Sequence, residues 1–332
     1  MALGDKLYFG EFSSRKLLII TLPVFVIIAF AAFAFVPVRG LALRRVPQEK
    51  QLPARDQDFQ NRCHGPGVVK CEGFDSETDT LAYIYPDGGG LYRGVFDTHT
   101  TASGVGSLRF EIPATSGANS SGGWTASLGG GFGPGRVFYV QFRERFSPEF
   151  LKTKYQGNGW KQAIFHMGRK TCGSIEITTQ NTYERGYPQM YTDCGSRSFD
   201  VDLKNGDYLY ETGDYNCHRW SPSPQSCAFY HANEWMTFYY EVGLGHWGRP
   251  DSSIKAWVAY EGKPYRQFVN APSYRLDADS SPTDVFNAIT LTPYNTGKPA
   301  EVPHPVAYVG YHELIVSKQP IPAPQVSAVE SH

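Results

Sequence analysis

The chain has 332 residues, with Lys+Arg 31 against Asp+Glu 32 and a net charge of −1, so no global field draws it to nucleic acid and a DNA or RNA partner is disfavoured. Gly 34, Pro 23 and 14% aromatic residues favour many short strands and turns over helices, and the length suits one large β domain.

In chain order, residues 1–16 read as a cytosolic tail. Leu17 to Val38 is almost wholly apolar, a run of about 22 residues that spans roughly 33 Å as a helix, enough to cross a bilayer. Basic residues flank it on both sides (Lys6, Arg15 and Lys16; Arg39, Arg44 and Arg45), so charge does not orient it. The cysteines do. All six follow the run in close pairs, Cys63 with Cys71, Cys172 with Cys194 and Cys217 with Cys227, which suits three local disulfides in an oxidising compartment, although spacing alone leaves 15 connectivities open. The expectation is a transmembrane signal anchor at 17–38 with the rest extracytoplasmic, periplasmic or extracellular. Cleavage at Ala29-Phe30-Ala31 or Ala32-Phe33-Ala34 gives the alternative, a secreted domain.

Residues 39–62 are rich in Arg, Pro, Gln and Asp without apolar periodicity and read as a linker to a domain at 63–320, followed by a tail at 321–332. Ser107 to Pro113 alternates as a strand, and the following Ser/Gly/Asn loop holds the sequon Asn119-Ser120-Ser121. In Val137 to Phe146, Phe138, Val140, Phe142 and Phe146 fall on one side and Tyr139, Gln141, Arg143 and Arg145 on the other. That period of two reads as a half-buried strand. Trp160–Met167, Ser174–Gln180 and Tyr187–Tyr191 follow. These four successive strands are expected to carry polar groups in register on one face, an array costly to leave unpaired and suited to a sugar chain. Residues 200–225 read as an ordered flap closed by Cys217 and Cys227. Glu234–Val242 and Ser253–Tyr260 form a hairpin, and Asn287–Tyr294 and Ala307–Ser317 close the domain. No amphipathic helix is expected after residue 38. About ten strands imply an all-β sandwich of two packed antiparallel sheets.

The segments "FYVQFRERFSPEF", "GWKQAIFH", "SIEITTQN", "EWMTFYYEVGLG", "SSIKAWVAYEGKPY" and "YVGYHELIVSKQPIP" resemble, in this order, the concanavalin A-like jelly-roll sandwich of polysaccharide lyases and laminarinase-type glucanases. The resemblance runs from Arg109 to Pro322 and looks closest to lyases of alginate, glucuronan and heparin type. It implies that the concave sheet holds the glycan. The glucanase motif places Glu, Asp and Glu at alternate positions of one strand, whereas this chain has Glu176, Thr178 and Gln180, so retaining hydrolysis is disfavoured. Elimination across a uronic acid needs a group that neutralises the carboxylate, a base for the C5 proton and an acid for the leaving oxygen.

The resemblance therefore implies His166, Tyr191, Gln162 and Arg143 as catalytic groups, with Arg145, Gln141, Lys161, Glu176, Gln180, Asn181, Gln189, Tyr240 and Tyr294 on the substrate. Alginate lyases carry Gln-x-His and Arg-x-Glu-x-Arg strands; here Gln162 and His166 stand four apart and the arginine strand reads Gln141, Arg143, Arg145. A regular strand turns Lys161 away from His166, and a bulge beside Gly159 reverses this. The bland alternatives are a solvated strand face for the arginines and core or rim packing for Tyr191, Tyr240 and Tyr294. The expected activity is β-elimination on an acidic polysaccharide, with a lectin-like glycan-binding sandwich as the alternative. No cofactor is required. Asp277, Asp279 and Asp284 form an acidic loop with room for a structural Ca²⁺, although Pro282 stands where the helix-loop-helix calcium motif needs Gly.

Overall fold

A computed structural model describes residues 53–325 except 116, 118–121, 153–159, 169–174, 182–185, 194–222, 224–226, 279–280 and 295–302. The apolar run at 17–38, the sequon, the flap at 200–222, Cys172, Cys194, Cys217 and Asp279 thus lie outside the described residues. Among the described residues no helix is long and apolar enough to cross a membrane.

Fourteen strands are described: β1 (Val68–Glu72), β2 (Ile84–Tyr85), β3 (Gly94–Asp97), β4 (Ser107–Ile112), β5 (Gly123–Phe132), β6 (Arg136–Phe146), β7 (Lys161–His166), β8 (Glu176–Asn181), β9 (Pro188–Asp193), β10 (Met236–Leu244), β11 (Arg249–Ala259), β12 (Arg266–Leu276), β13 (Phe286–Leu291) and β14 (Ala307–Ser317). Three helices accompany them, α1 (Ala54–Cys63), α2 (Glu77–Leu81) and α3 (Pro148–Lys152). The pairings described between these strands are all antiparallel, in two sheets. The larger has the order β12-β11-β10-β6-β14-β4-β3 with β1 also on β14, and the smaller is β2-β5-β13-β7-β8-β9.

The expected hairpin of β10 and β11 forms, with Phe238 opposite Val258. The expectation that β6 lies beside β7 is corrected: β6 pairs with β10 and β14 in the larger sheet, β7 with β13 and β8 in the smaller.

Alternation explains which sides meet. Phe138, Val140, Phe142 and Phe146 of β6 face inward, as do Phe165, Ile177, Met190, Ile289 and Leu291 from the smaller sheet, and all are buried in one core cluster. Phe165 holds the sheets together by edge-to-face contacts with Phe138 (centroids 6.0 Å) and Tyr240 (5.1 Å). Each such ring contributes roughly 1.5–3 kcal/mol by burial.

One polar network interrupts this core. Gln162 Nε2 donates to Glu144 Oε2 at 2.7 Å, the Tyr230 hydroxyl donates to Gln162 Oε1 at 2.7 Å, and the Tyr311 hydroxyl donates to the Gln162 carbonyl at 3.0 Å. Burial pushes the Glu144 carboxyl up to about 8 despite its bonds to Gln162 and Tyr311, so it is protonated at neutral pH.

Part of the outer face of the larger sheet, at β1 and β14, is covered by α1, which the sequence reading assigns to the linker. Its turns place Phe59 and Arg62 on one side, and both are buried against the sheet. Arg62 donates to Gln141 Oε1 and to Glu313 Oε2, while Arg143 lies 3.7 Å from Glu313 and 3.1 Å from Glu261. Gln141 Nε2 donates to Tyr265 Oη (3.0 Å) and to the carbonyl of Pro322 (2.9 Å). A register shift in β14 after His312, with Glu313 in the left-handed region (φ 50), gives Glu313 its reach to both arginines. Although burial opposes it, the charges of Arg143 and Arg62 hold the Glu313 carboxyl below its ordinary range.

The Cys63–Cys71 disulfide forms as expected and ties the end of α1 to β1. Cys227 is also disulfide-bonded, with its expected partner Cys217 outside the described residues.

Candidate functional site

The outward face of the smaller sheet collects polar groups in rows. Opposite partners across β7, β8 and β9 are Lys161, Gln180 and Gln189 in one row; Ile164, Thr178 and Tyr191 in the next; and His166, Glu176 and Asp193 in the third. β13 continues the second row with Thr290. The inward neighbours Phe165, Ile177, Met190 and Ile289 belong to the core, so period two sends these rows outward.

Lys161 reaches this face through an irregularity. Lys161 pairs with Gln180 and Ala163 with Thr179, which leaves Gln162 as one extra residue in β7. The extra residue turns Gln162 inward to Glu144 and returns Lys161 to the side of His166.

The Lys161 side chain lies along the sheet, crossing the Tyr191 row to end 3.6 Å from Glu176 Oε2. Its ammonium stands 5.9 Å from the Tyr191 ring centroid and 5.5 Å from that of Tyr294, whose carbonyl accepts from the Lys161 backbone N–H at 2.7 Å. A cation over two phenol rings is favourable, more so when desolvated, and the Lys161 side chain is only 10% exposed. Around it, Gln180 and Gln189 are buried while Tyr191 and Tyr294 are half-buried. Among the described residues, Thr178 Oγ1 and Gln189 Nε2 are buried without a hydrogen-bond partner. Such groups carry a desolvation cost that a polar ligand would relieve.

His166 sits at one end of the face and is sealed. Its Nε2 lies 3.0 Å from Thr290 Oγ1, which lies 2.7 Å from Thr125 Oγ1. Burial pushes the imidazole down to about 4, against a backbone hydrogen bond at Met167, so the ring is neutral at pH 7.

Tyr85, which the sequence reading does not single out, stands at the other end of the sheet. Burial raises its hydroxyl to about 12, against a hydrogen bond from Thr292 and with the charge of Glu176 adding to the rise. A side chain on Gly123 would meet the Tyr85 ring within 2.5 Å, so glycine there makes room for it. Only a two-residue strand carries Tyr85, too short to give a periodic signal.

The structure thus brings together Lys161, His166, Glu176, Gln180, Gln189, Tyr191 and Tyr294. Asn181 pairs at the end of the same strand, opposite Pro188. It does not bring the others to this face. Arg143 and Gln141 lie on the outer side of the larger sheet, bound to Glu313 and Arg62; Arg145 is on that side too, donating to the Asn233 carbonyl at 3.0 Å. Gln162 and Tyr240 point into the core, Tyr240 stacked on Phe142 at 5.7 Å.

The acidic loop is likewise internally engaged. Asp277 pairs with Arg275 (3.4 Å) and Asp284 accepts from the Ser281 N–H (2.9 Å). No group of three His, Cys, Asp or Glu side chains placed to hold a metal is found among the described residues.

No protein-family model matches the chain, and no curated protein matches it. Solved structures do. An alginate lyase of the marine animal Aplysia kurodai superposes with a TM-score of 0.54 at 15% identity, covering 75% of this chain and 98% of that one. The endo-β-1,4-glucuronan lyase of the fungus Trichoderma reesei (TM-score 0.45, 12% identity, 74% and 98% covered) and an alginate lyase from Chlorella virus (0.46, 12%, 76% and 100%) are also similar. The fold of this chain is therefore the jelly-roll sandwich seen in the Aplysia alginate lyase.

Proposed function

We propose that the chain is a polysaccharide lyase that cleaves an acidic, uronate-containing polysaccharide by β-elimination on the outward face of the smaller sheet. One observation carries the reading: the Lys161 ammonium in the middle of a buried polar face, over the rings of Tyr191 and Tyr294 and beside the amides of Gln180 and Gln189. A uronate bound there places its carboxylate among Lys161, Gln180 and Gln189, which stabilise the charge that develops when C5 loses its proton. Tyr191 is the group in reach to move that proton. Its phenolate takes the C5 proton, the electron pair forms the C4=C5 double bond, the C4–O bond breaks, and the leaving oxygen recovers the proton.

Glu176 holds the ammonium in place, and neutral His166 orders the Thr290 and Thr125 hydroxyls. Glu176, Thr178 and Gln180 do share the outward face, as the glucanase arrangement requires, but they supply a single carboxylate. We further propose an exported domain with 17–38 as its anchor, which the Cys63–Cys71 disulfide supports.

The test is the ultraviolet absorbance of the unsaturated uronate when the purified chain meets alginate, glucuronan and heparinoid substrates. Turnover that falls by about 10²–10⁴ in Tyr191→Phe, with substrate still retained on an affinity column, is the expected result. Retention without turnover by the wild-type chain on every substrate makes the protein a glycan-binding module. Full turnover in Tyr191→Phe removes that residue from the chemistry.

A further inference from the structure

On the other side of the sandwich, a cavity of about 340 Å³ opens on the outer face of the larger sheet, within the size range of small-ligand pockets. Arg109 and Arg145 both line it, with Asp97, Tyr308, Thr100 and Glu149 among their neighbours. Two guanidinium groups thus border one concave space together with two carboxylates, and each guanidinium is held in a different way. Arg109 Cζ stands over the Tyr308 ring, 4.6 Å from its centroid, and its Nε is 2.8 Å from Asp97 Oδ2. Arg145 is held through its Nε, which donates to the Asn233 carbonyl at 3.0 Å.

The support for that carbonyl is built in. Asn233 takes the left-handed conformation (φ 62), and its N–H bonds the Phe146 carbonyl at 2.8 Å, next to a bridge between Phe146 and Ala232. Among the described residues nothing engages the two Nη groups of Arg145, which leaves the planar fork that matches a carboxylate oriented by the chain and unspent. Asp97 pairs with Arg109 at 2.8 Å and acts on Arg145 at longer range, and Glu149 lines the same cavity, so what Arg145 offers a ligand is its oriented Nη fork and not an uncompensated charge. Thr100 and Glu149 border the same space and supply polar partners for the hydroxyls of a sugar unit.

We propose that this cavity is a second, non-catalytic binding site for a carboxylate-bearing sugar unit, on the opposite face of the sandwich from Lys161 and Tyr191. It would hold a distant part of the same acidic chain and raise its effective concentration at the catalytic face. The ligand class rests on the reading of the substrate as an acidic polysaccharide, but the site is testable without turnover.

The experiment is isothermal titration calorimetry of the whole chain with short glucuronate and mannuronate oligosaccharides, and with the same oligosaccharides after reduction of the carboxyls. It is run in the Tyr191→Phe background, alone and combined with Arg145→Gln, Arg145→Lys or Lys161→Ala. Expected are two sites in Tyr191→Phe, one of them weakened about tenfold or more by Arg145→Gln, partly restored by Arg145→Lys and indifferent to Lys161→Ala. The carboxyl-reduced sugars should not occupy it. Binding that Arg145→Gln leaves unchanged, or no binding beyond what Lys161→Ala abolishes, overturns the second site whether or not the chain is a lyase. An Arg145-dependent site in a chain that never turns over would uphold the cavity and sink the lyase reading instead. Near-ultraviolet circular dichroism of each variant confirms the fold, since Arg145 is half-buried and loses its hydrogen bond to the Asn233 carbonyl.

Discussion

Glu144 offers a sharp test of the core because its protonation is set by burial between the sheets. Its carboxyl stands at about 8 in the folded chain and near the ordinary 4.5 in the unfolded one. Between these values the folded state keeps a proton that the unfolded state has released, so stability falls as pH rises, by about 1.4 kcal/mol for each pH unit. The contribution is fully favourable below about 4.5 and exhausted above about 8, which makes the cost of this group about 3 kcal/mol at pH 7 and about 5 kcal/mol at high pH.

Glu144→Gln removes the ionisation and preserves an oxygen that can accept from Gln162. Urea unfolding of both proteins at pH 5, 6, 7 and 8 isolates the effect, because every other titrating group cancels in the difference. The variant should match the wild type to within about 1 kcal/mol at pH 5 and exceed it by about 3 kcal/mol or more at pH 8. A difference that stays constant over this range would show that Glu144 does not hold its proton between the sheets, and the account of the Gln162 network would fall with it.

Three further outcomes follow from the geometry. His166 is pushed down to about 4 against 6.5 unfolded, the opposite sign, so folding resists its protonation and stability drops as pH falls through this window; His166→Asn should be relatively more stable at pH 4 than at pH 7 by about 3 kcal/mol in urea unfolding. The same shift means that the acid limb of the pH–turnover profile should not carry an imidazole at its ordinary position, and His166→Asn should leave the position of that limb unmoved. Arg62→Ala strips Glu313 of one of its two cations in a buried setting and should cost about 3–5 kcal/mol in urea unfolding, with Glu313→Gln recovering part of the loss in the double variant.

The alternation in β6, β8, β9, β10 and β14 is plain in the sequence because one face of each is core, and the two-sheet sandwich follows from it. The missing elements have identifiable causes. In β5, Gly129 adopts φ 81 and backs closely onto the Val69 carbonyl, and the run Gly129–Gly131 hides the period. Pro272 interrupts β12, which tolerates it as the edge of the larger sheet. α1 shows one apolar residue on its inward side, Phe59, and seats itself otherwise through the arginine that follows it by three positions. Sheet membership was not legible at all. β6 and β7 are consecutive and similarly patterned, yet the chain crosses between layers from one to the next, so the arginines of one and the lysine of the other face opposite directions. The extra residue at Gln162 is legible only as an alternative, the bulge beside Gly159, since Lys161 and Gln162 are both polar and either satisfies an outward position.

The Cys63–Cys71 staple has a mechanical consequence. Tension applied through the residues that precede α1 would arrive at Cys63 and pass covalently to Cys71 in β1, and so into the ladder that β1 forms with β14. A domain pulled from that end would thus be gripped through β1 and its neighbour β14 in the larger sheet, while Lys161 and Tyr191 stand on the smaller one.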